Sequence, residues 1–326
     1  MGFHSPPSGG SAVSASVPSP PVESAPVTPP HPAHLVQLWR DVRDALYSLP
    51  SYFSSPLVLQ GVSVTDLFTF AASAGSSIEQ QVVDNLNRLR STTWDAQGSF
   101  AHYRFERQSQ RFPDVVLRSN APGVSPATLM GIELKGWYAL AKEGEPTFRY
   151  RVTPAVCSDL DLLVVYPWAL SNVISGSPFL YEPYIRSARF AAQYKNYFWE
   201  HVRSSSADKR IRLSSVASYY PIKSDAISDV PHSDSGGNFG RIARTGIMDD
   251  FTAEVGQQLL AGIPTDAWRR FFRVFTENPT QGAIDRLIDT LDREQKASPD
   301  ALLKTDGHVA RLRAILEETA SIFAGP

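Results

Sequence analysis

Several classes of protein are excluded by what the sequence lacks. Cys157 is the single cysteine, which rules out an internal disulfide or a cysteine-based zinc cluster and fits a reducing cytosol. No apolar run approaches the roughly 18 residues that a membrane-spanning helix needs, so no membrane association is expected. The first residues lack the basic start and apolar block of a secretory signal. No charge of one sign dominates: 31 basic and 33 acidic residues leave a net charge of −2, and the total advertises no polyanionic partner. The seven histidines show no ligand spacing, and no glycine-rich phosphate loop precedes a helix. The expectation is a soluble cytoplasmic protein of 326 residues, 42% hydrophobic, with room for a sizeable core.

Composition divides the chain into three. Residues 1–33 are dominated by Pro, Ser, Ala, Val and Gly, and read as a disordered tail that cannot bury enough side chain to offset its ordering entropy. Residues 34–245 carry the periodic segments, with a loop-rich region over about 214–245. Residues 246–326 read as a helical C-terminal subdomain that packs on the core or mediates a dimer.

Periodicity supplies the elements. "HLVQLWRDVRDALYSL" and "SSIEQQVVDNLNRLRS" read as amphipathic helices, and "AHYRFER" alternates as a half-buried strand. "PDVVLR" and "LMGIELKGW" read as two more strands, joined by the Pro- and Gly-containing turn "SNAPGVSPA". "LDLLVVYPW" is nearly all apolar, as in a central strand covered on both faces. "SARFAAQYKNYFWEHVR" returns to a helical period. The order predicts an α/β fold, a mixed β-sheet flanked by helices.

Within those strands sit charges that a core does not need. Side chains alternate faces, so Glu133 and Lys135 share one face while Ile132 and Leu134 take the other. Hairpin pairing can bring Asp114 beside Glu133, and two converging carboxylates repel unless a cation lies between them. Mg²⁺ suits such a pair, with the Leu134 carbonyl as a further oxygen ligand. Lys135 beside it can orient or help deprotonate an attacking water and offset charge at a phosphate.

Pro113-Asp114 followed by Glu133-Leu134-Lys135 after a hairpin resembles the PD-(D/E)XK nuclease superfamily, best known from type II restriction endonucleases. The resemblance covers roughly residues 76–200 and implies a restriction endonuclease-like core of order α-β-β-β-α-β. It implies Asp114 and Glu133 as metal ligands, Lys135 as the catalytic lysine, and a Mg²⁺-dependent, sequence-specific cleavage of double-stranded DNA. A homodimer and a cognate DNA methyltransferase in the same cell are the further partners implied. A repair or structure-specific nuclease of the same superfamily, and a non-catalytic DNA-binding module, are the rival readings. Many members also carry a glutamate on the first core helix, and Glu79 occupies that place, on one face with Val82, Val83 and Leu86. Ser76-Ser77-Ile78-Glu79 equally fits a capping box, so Glu79 serves either the metal site or its own helix. Asp159 and Asp161 are a second acid pair that alternates onto one face; as strand-end carboxylates they can bind metal, or Asp159 can end the preceding loop by capping its own backbone.

Two segments are expected to hold DNA. Residues 180–245 carry 10 basic against 6 acidic residues, and Arg186, Arg189, Lys195, Arg203, Lys209, Arg210 and Arg212 fall within 186–212 as a backbone-contacting face. In 219–245, Lys223, Asn238, Arg241 and Arg244 suit base edges, with Gly236, Gly237 and Gly240 permitting a close approach to DNA.

Overall fold

The computed structural model describes residues 17–60, 64–234 and 236–277, with a few isolated positions between 280 and 293. Helix α1 (Ala33–Ser48) buries Val36, Leu38, Trp39, Val42, Ala45 and Leu46, the stripe its periodicity predicted. Helix α2 spans Val64–Arg88, so it begins well before Ser76. Ser76 to Glu79 therefore lies inside the helix, where backbone N–H groups already have partners, and the capping-box reading is corrected.

The sheet is mixed and has six strands: β1 (Arg104–Arg107), β2 (Val115–Arg118), β3 (Thr128–Tyr138), β4 (Leu162–Leu170), β5 (Pro178–Leu180) and β6 (Tyr184–Ser187). β1, β2 and β3 form an antiparallel meander, and β4 lies parallel to β3. All nine residues of β4 are buried, as a central strand requires. β6 pairs with the first half of β4 and β5 with its end, both antiparallel. Pro167 sits in the gap between them, where the missing N–H costs no ladder bond. The connection from β3 to β4 contains one 3₁₀ turn, Pro154–Val156, and no α-helix, a departure from the element order that the resemblance implies.

Helix α3 (Ala188–Tyr197) follows β6 directly and ends in a π-helical turn, Phe198–Val202. A two-stranded ribbon, β7 (Ile211–Arg212) with β8 (Val230–Pro231), leaves the core beyond it. Helix α4 (Asp249–Gln257), the short hairpin of β9 (Leu259–Leu260) and β10 (Ile263–Pro264), and helix α5 (Thr265–Glu277) come next. α5 packs on the core: Arg269 donates to the Ala139 carbonyl at 2.6 Å and lies over the Trp137 ring. Most of the remaining stretch expected to be helical lies outside the described residues. No described helix is long and apolar enough to cross a membrane.

The N-terminal tail needs a partial correction. Residues 1–16 lie outside the described residues, but 17–33, though mostly exposed, are tied to the core at a few points. Glu23 accepts from the Ser187 N–H at 2.6 Å and pairs with Arg186, His31 pairs with Asp159, and Pro26 is buried. Closely spaced prolines already restrict the chain, so these few contacts suffice to hold it.

Candidate active site

The register of the hairpin builds the site. Val115 pairs with Ile132, so Asp114 falls opposite Glu133 as β2 begins. Gly131 makes this approach possible: a Cβ there would lie 2.2 Å from Pro113 Cγ and 3.0 Å from Asp161 Oδ1. The Asp114 N–H donates to Glu133 Oε2 at 3.3 Å, and the Leu134 N–H to Asp114 Oδ2 at 3.3 Å. Ile132 and Leu134 are buried on the opposite face, as alternation predicted.

The two carboxylates do converge, and the cation between them is the chain's own. Lys135 Nζ lies 2.7 Å from Asp114 Oδ2 and 2.9 Å from Glu133 Oε1. Their side chains are 23% (Lys135), 25% (Asp114) and 11% (Glu133) exposed, so the group opens to solvent through one side. Burial pushes the Glu133 carboxyl up to about 7, with Lys135 pulling it down and Asp114 adding to the rise. Burial works against charge on Lys135, but Glu133 and Asp114 outweigh it and hold the ammonium above the ordinary lysine value. In this state Lys135 donates hydrogen bonds and is no base.

Glu79 reaches the same site from α2. Gly75 and Gly136 let helix and strand meet, since a Cβ on Gly136 would lie 3.3 Å from the Gly75 Cα. One helical turn further along, Glu79 Oε1 accepts from the Gly136 N–H at 3.3 Å. Its Oε2 takes Arg107 Nη2 at 2.8 Å. Burial raises the Glu79 carboxyl, with Lys135 opposing and Asp114 reinforcing the shift. Arg107, which also donates to the Ser76 carbonyl at 3.2 Å, was not among the expected site residues. Its signal was legible, because in "YRFER" it shares the inward parity of Tyr103 and Phe105. Gln108 was missed too, and braces Asp114 by donating from its own N–H to the Asp114 carbonyl at 2.6 Å.

The second acid pair separates. Asp159 pairs with Arg189 and His31 at the surface, whereas Asp161 is fully buried. Asp161 closes its own loop: it accepts from Ser158 N–H and Gly131 N–H, both at 2.7 Å, and from Tyr220 Oη at 3.3 Å. With its oxygens so engaged it is a brace under the hairpin.

The expected DNA-reading loop is largely tied to the protein. Arg244 bonds Glu145 at 2.8 Å and Asn238 Oδ1 at 2.6 Å, and Arg241 follows the buried Gly240 in a backbone bridge to Arg149. The close approach that Gly237 and Gly240 permit is to Arg149 and Arg151, with a Cβ at either meeting a side-chain atom at 2.9 Å. Only Lys223 of the four stands exposed without an ion pair among the described residues. In the basic face, Lys195 is 1% exposed and bonded to Asp229, while Arg186 and Arg189 are paired with Glu23 and Asp159. Acids distant in sequence meet these cations, and they bury Lys195 outright while Arg186 and Arg189 stay partly exposed.

Among the described residues no group of three or more His, Cys, Asp or Glu side chains is arranged to hold a metal ion. The site offers two carboxylates focused on one cation position, a hard oxygen donor set that fits Mg²⁺ once Lys135 withdraws. Comparison with protein-family models, curated proteins and solved structures gave no match.

Proposed function

We propose that this protein is a Mg²⁺-dependent, sequence-specific endonuclease of double-stranded DNA, built on a restriction endonuclease-like core. One observation carries the reading: Asp114 and Glu133, on neighbouring strands, aim at a single cation position that Lys135 shares. In a purely structural ion pair one carboxylate would serve; the second leaves an excess of negative charge that suits a divalent ion.

Asp114 and Glu133 would hold Mg²⁺, with the Leu134 carbonyl as a third oxygen ligand. Once bound, the ion would supply Lewis-acid polarisation of a phosphate oxygen. Lys135, displaced from the carboxylates but still protonated, would donate to the phosphate and offset its developing charge, while the attacking water, made more acidic beside the ion, would release its proton to solvent. Glu79, held by Gly136 and Arg107, would orient groups at the outer side of the site.

Purified protein is tested on phage and plasmid DNA with and without Mg²⁺, beside Asp114→Ala and Lys135→Ala. Discrete, metal-dependent fragments lost in both variants are expected. Metal-dependent smearing or structure-selective nicking would point to a repair-type nuclease. Intact DNA after incubation of folded protein with Mg²⁺ or Mn²⁺ would overturn the catalytic reading.

A further inference from the structure

The region 203–232 has three features that the catalytic group does not use. It is rigidly rooted. Asp229, beside β8, accepts from Lys195 Nζ at 3.1 Å, from Asn196 Nδ2 at 2.9 Å and from the Ser214 N–H at 3.0 Å, while Lys195 also donates to the Val152 carbonyl at 2.8 Å. The pairing of Arg212 with Val230 continues into a 2.9 Å bond from His232 N–H to the Arg210 carbonyl. A loop that needed only to connect α3 to the next element would require none of this anchoring.

Its outer surface is the second feature. Leu213, Tyr219, Ile222 and Val230 are exposed on it. Arg212 and Lys223 are exposed too, with no ion pair among the described residues. Four large apolar side chains exposed along one anchored segment are available to a partner.

The third feature is a link to the active site. Tyr220 has a φ of 54°, a conformation that side chains other than glycine rarely adopt. Held so, its hydroxyl reaches Asp161 Oδ1, the same oxygen that takes the Gly131 N–H beside Pro113-Asp114. The backbone strain is spent on fixing this loop to the end of the sheet that carries the two carboxylates.

We propose that the β7–β8 ribbon and the loop to Lys223 grip duplex DNA beside the Asp114–Glu133 site, with Arg212 and Lys223 on phosphates and Leu213 and Ile222 against the groove. The identity of the partner rests on the nuclease reading. Charge favours a polyanion: residues 203–232 hold Arg203, Lys209, Arg210, Arg212 and Lys223 against Asp208, Asp225 and Asp229, the last already paired with the buried Lys195, in a chain of net charge −2. A second copy fits less well, because a two-fold contact would set these cations close to their own copies.

The test is fluorescence anisotropy of a labelled mixed-sequence duplex with the full chain, without divalent metal, across a NaCl series. Arg212→Gln with Lys223→Gln should weaken binding about tenfold or more and flatten the log–log salt slope by about 2, roughly 0.9 per lost phosphate contact. Leu213→Ser with Ile222→Ser should weaken binding and leave that slope unchanged. Circular dichroism melts confirm that each variant folds. Unchanged affinity in both pairs, or a wild type that binds no duplex, overturns the proposal. So does light scattering in which Leu213→Ser with Ile222→Ser splits a dimer while DNA affinity stays intact. If the variants lose binding but the wild type never cuts the duplex in Mg²⁺, the ribbon stands and the nuclease reading fails.

Discussion

Among the described residues, two lysines meet carboxylates in partly or wholly buried settings, and they differ in exposure, in number of partners and in the direction of their titration. Lys195 faces one acid, Asp229, whose oxygens are also taken by Asn196 and Ser214; the pair is sealed, the lysine 1% exposed. Lys135 faces two, Asp114 and Glu133, and the group opens to solvent. Burial lowers Lys195 to about 8 although Asp229 opposes the shift, whereas Lys135 is raised because two carboxylates outweigh its burial. A balanced, closed pair holds structure together. An overcharged, open one is poised to exchange its cation.

The largest expected effect strikes the balanced pair. Asp229→Ala leaves a buried ammonium without its counter-charge and should cost about 3–5 kcal/mol of stability. It also frees the root of the β7–β8 ribbon. A denaturant titration measures it, and a loss under about 1 kcal/mol would mean that water reaches Lys195.

At the open group the same kind of change should leave the fold intact and abolish chemistry. Lys135→Ala should lower the cleavage rate about 10²–10³-fold, the scale of one lost charge-stabilising donor. Glu133→Gln, which removes a buried negative charge, should keep or raise the melting temperature while cleavage disappears. If Glu133→Gln melts as badly as Asp229→Ala, the three-residue group is structural.

How far the sequence already told these lysines apart can be argued residue by residue. The strands were legible because alternation and the apolar run of β4 leave few options, and the hairpin set Asp114 against Glu133 from local spacing alone. Lys195 was legible in principle: Ala188, Ala191, Ala192 and Lys195 form the buried stripe of α3, at helical spacing. Its partner Asp229 was invisible, because nothing local joins residues 34 apart. Arg244 likewise bonds Glu145, 99 residues away. The capping-box pattern suggested a helix start at Ser76, but α2 runs through it, and Gly75 inside the helix is what lets it approach Gly136. Long-range charge pairing and close backbone approach leave little trace in a single sequence.

A smaller effect is expected at Arg107, which sits outside the contest for Lys135 but steadies Glu79. Arg107→Ala removes the 2.8 Å contact to Glu79 and should cost about 10–100-fold in cleavage, as for groups that orient a metal-site ligand. Arg107→Lys should recover part of this, since an ammonium can still meet Glu79 but cannot also span Ser76. Full activity in Arg107→Ala would show that Glu79 needs no such support.

The sharpest contrast lies in the pH dependence of stability without metal, where the two groups should pull in opposite directions. Burial raises Glu133 from 4.5 to about 7, so the fold binds a proton there that the unfolded chain has released. The stability this gives is complete below pH 4.5 and is lost as the pH rises through about 7. Asp161, raised by burial from 3.8 to about 7, adds to the same decline. Lys195 works the other way: lowered from 10.5 to about 8, it releases its proton in the fold first, so stability recovers from about pH 8 to 10.5. Melting temperatures from pH 4 to 10 in chelator should fall on the acid side, and Glu133→Gln should shallow that fall while leaving the alkaline rise. A wild-type curve flat between pH 5 and 8 would mean that Lys135 keeps Glu133 ionised throughout. Two ionised carboxylates would then face one ammonium at every working pH, and the excess charge that sets this group apart from the balanced Lys195 pair would be permanent.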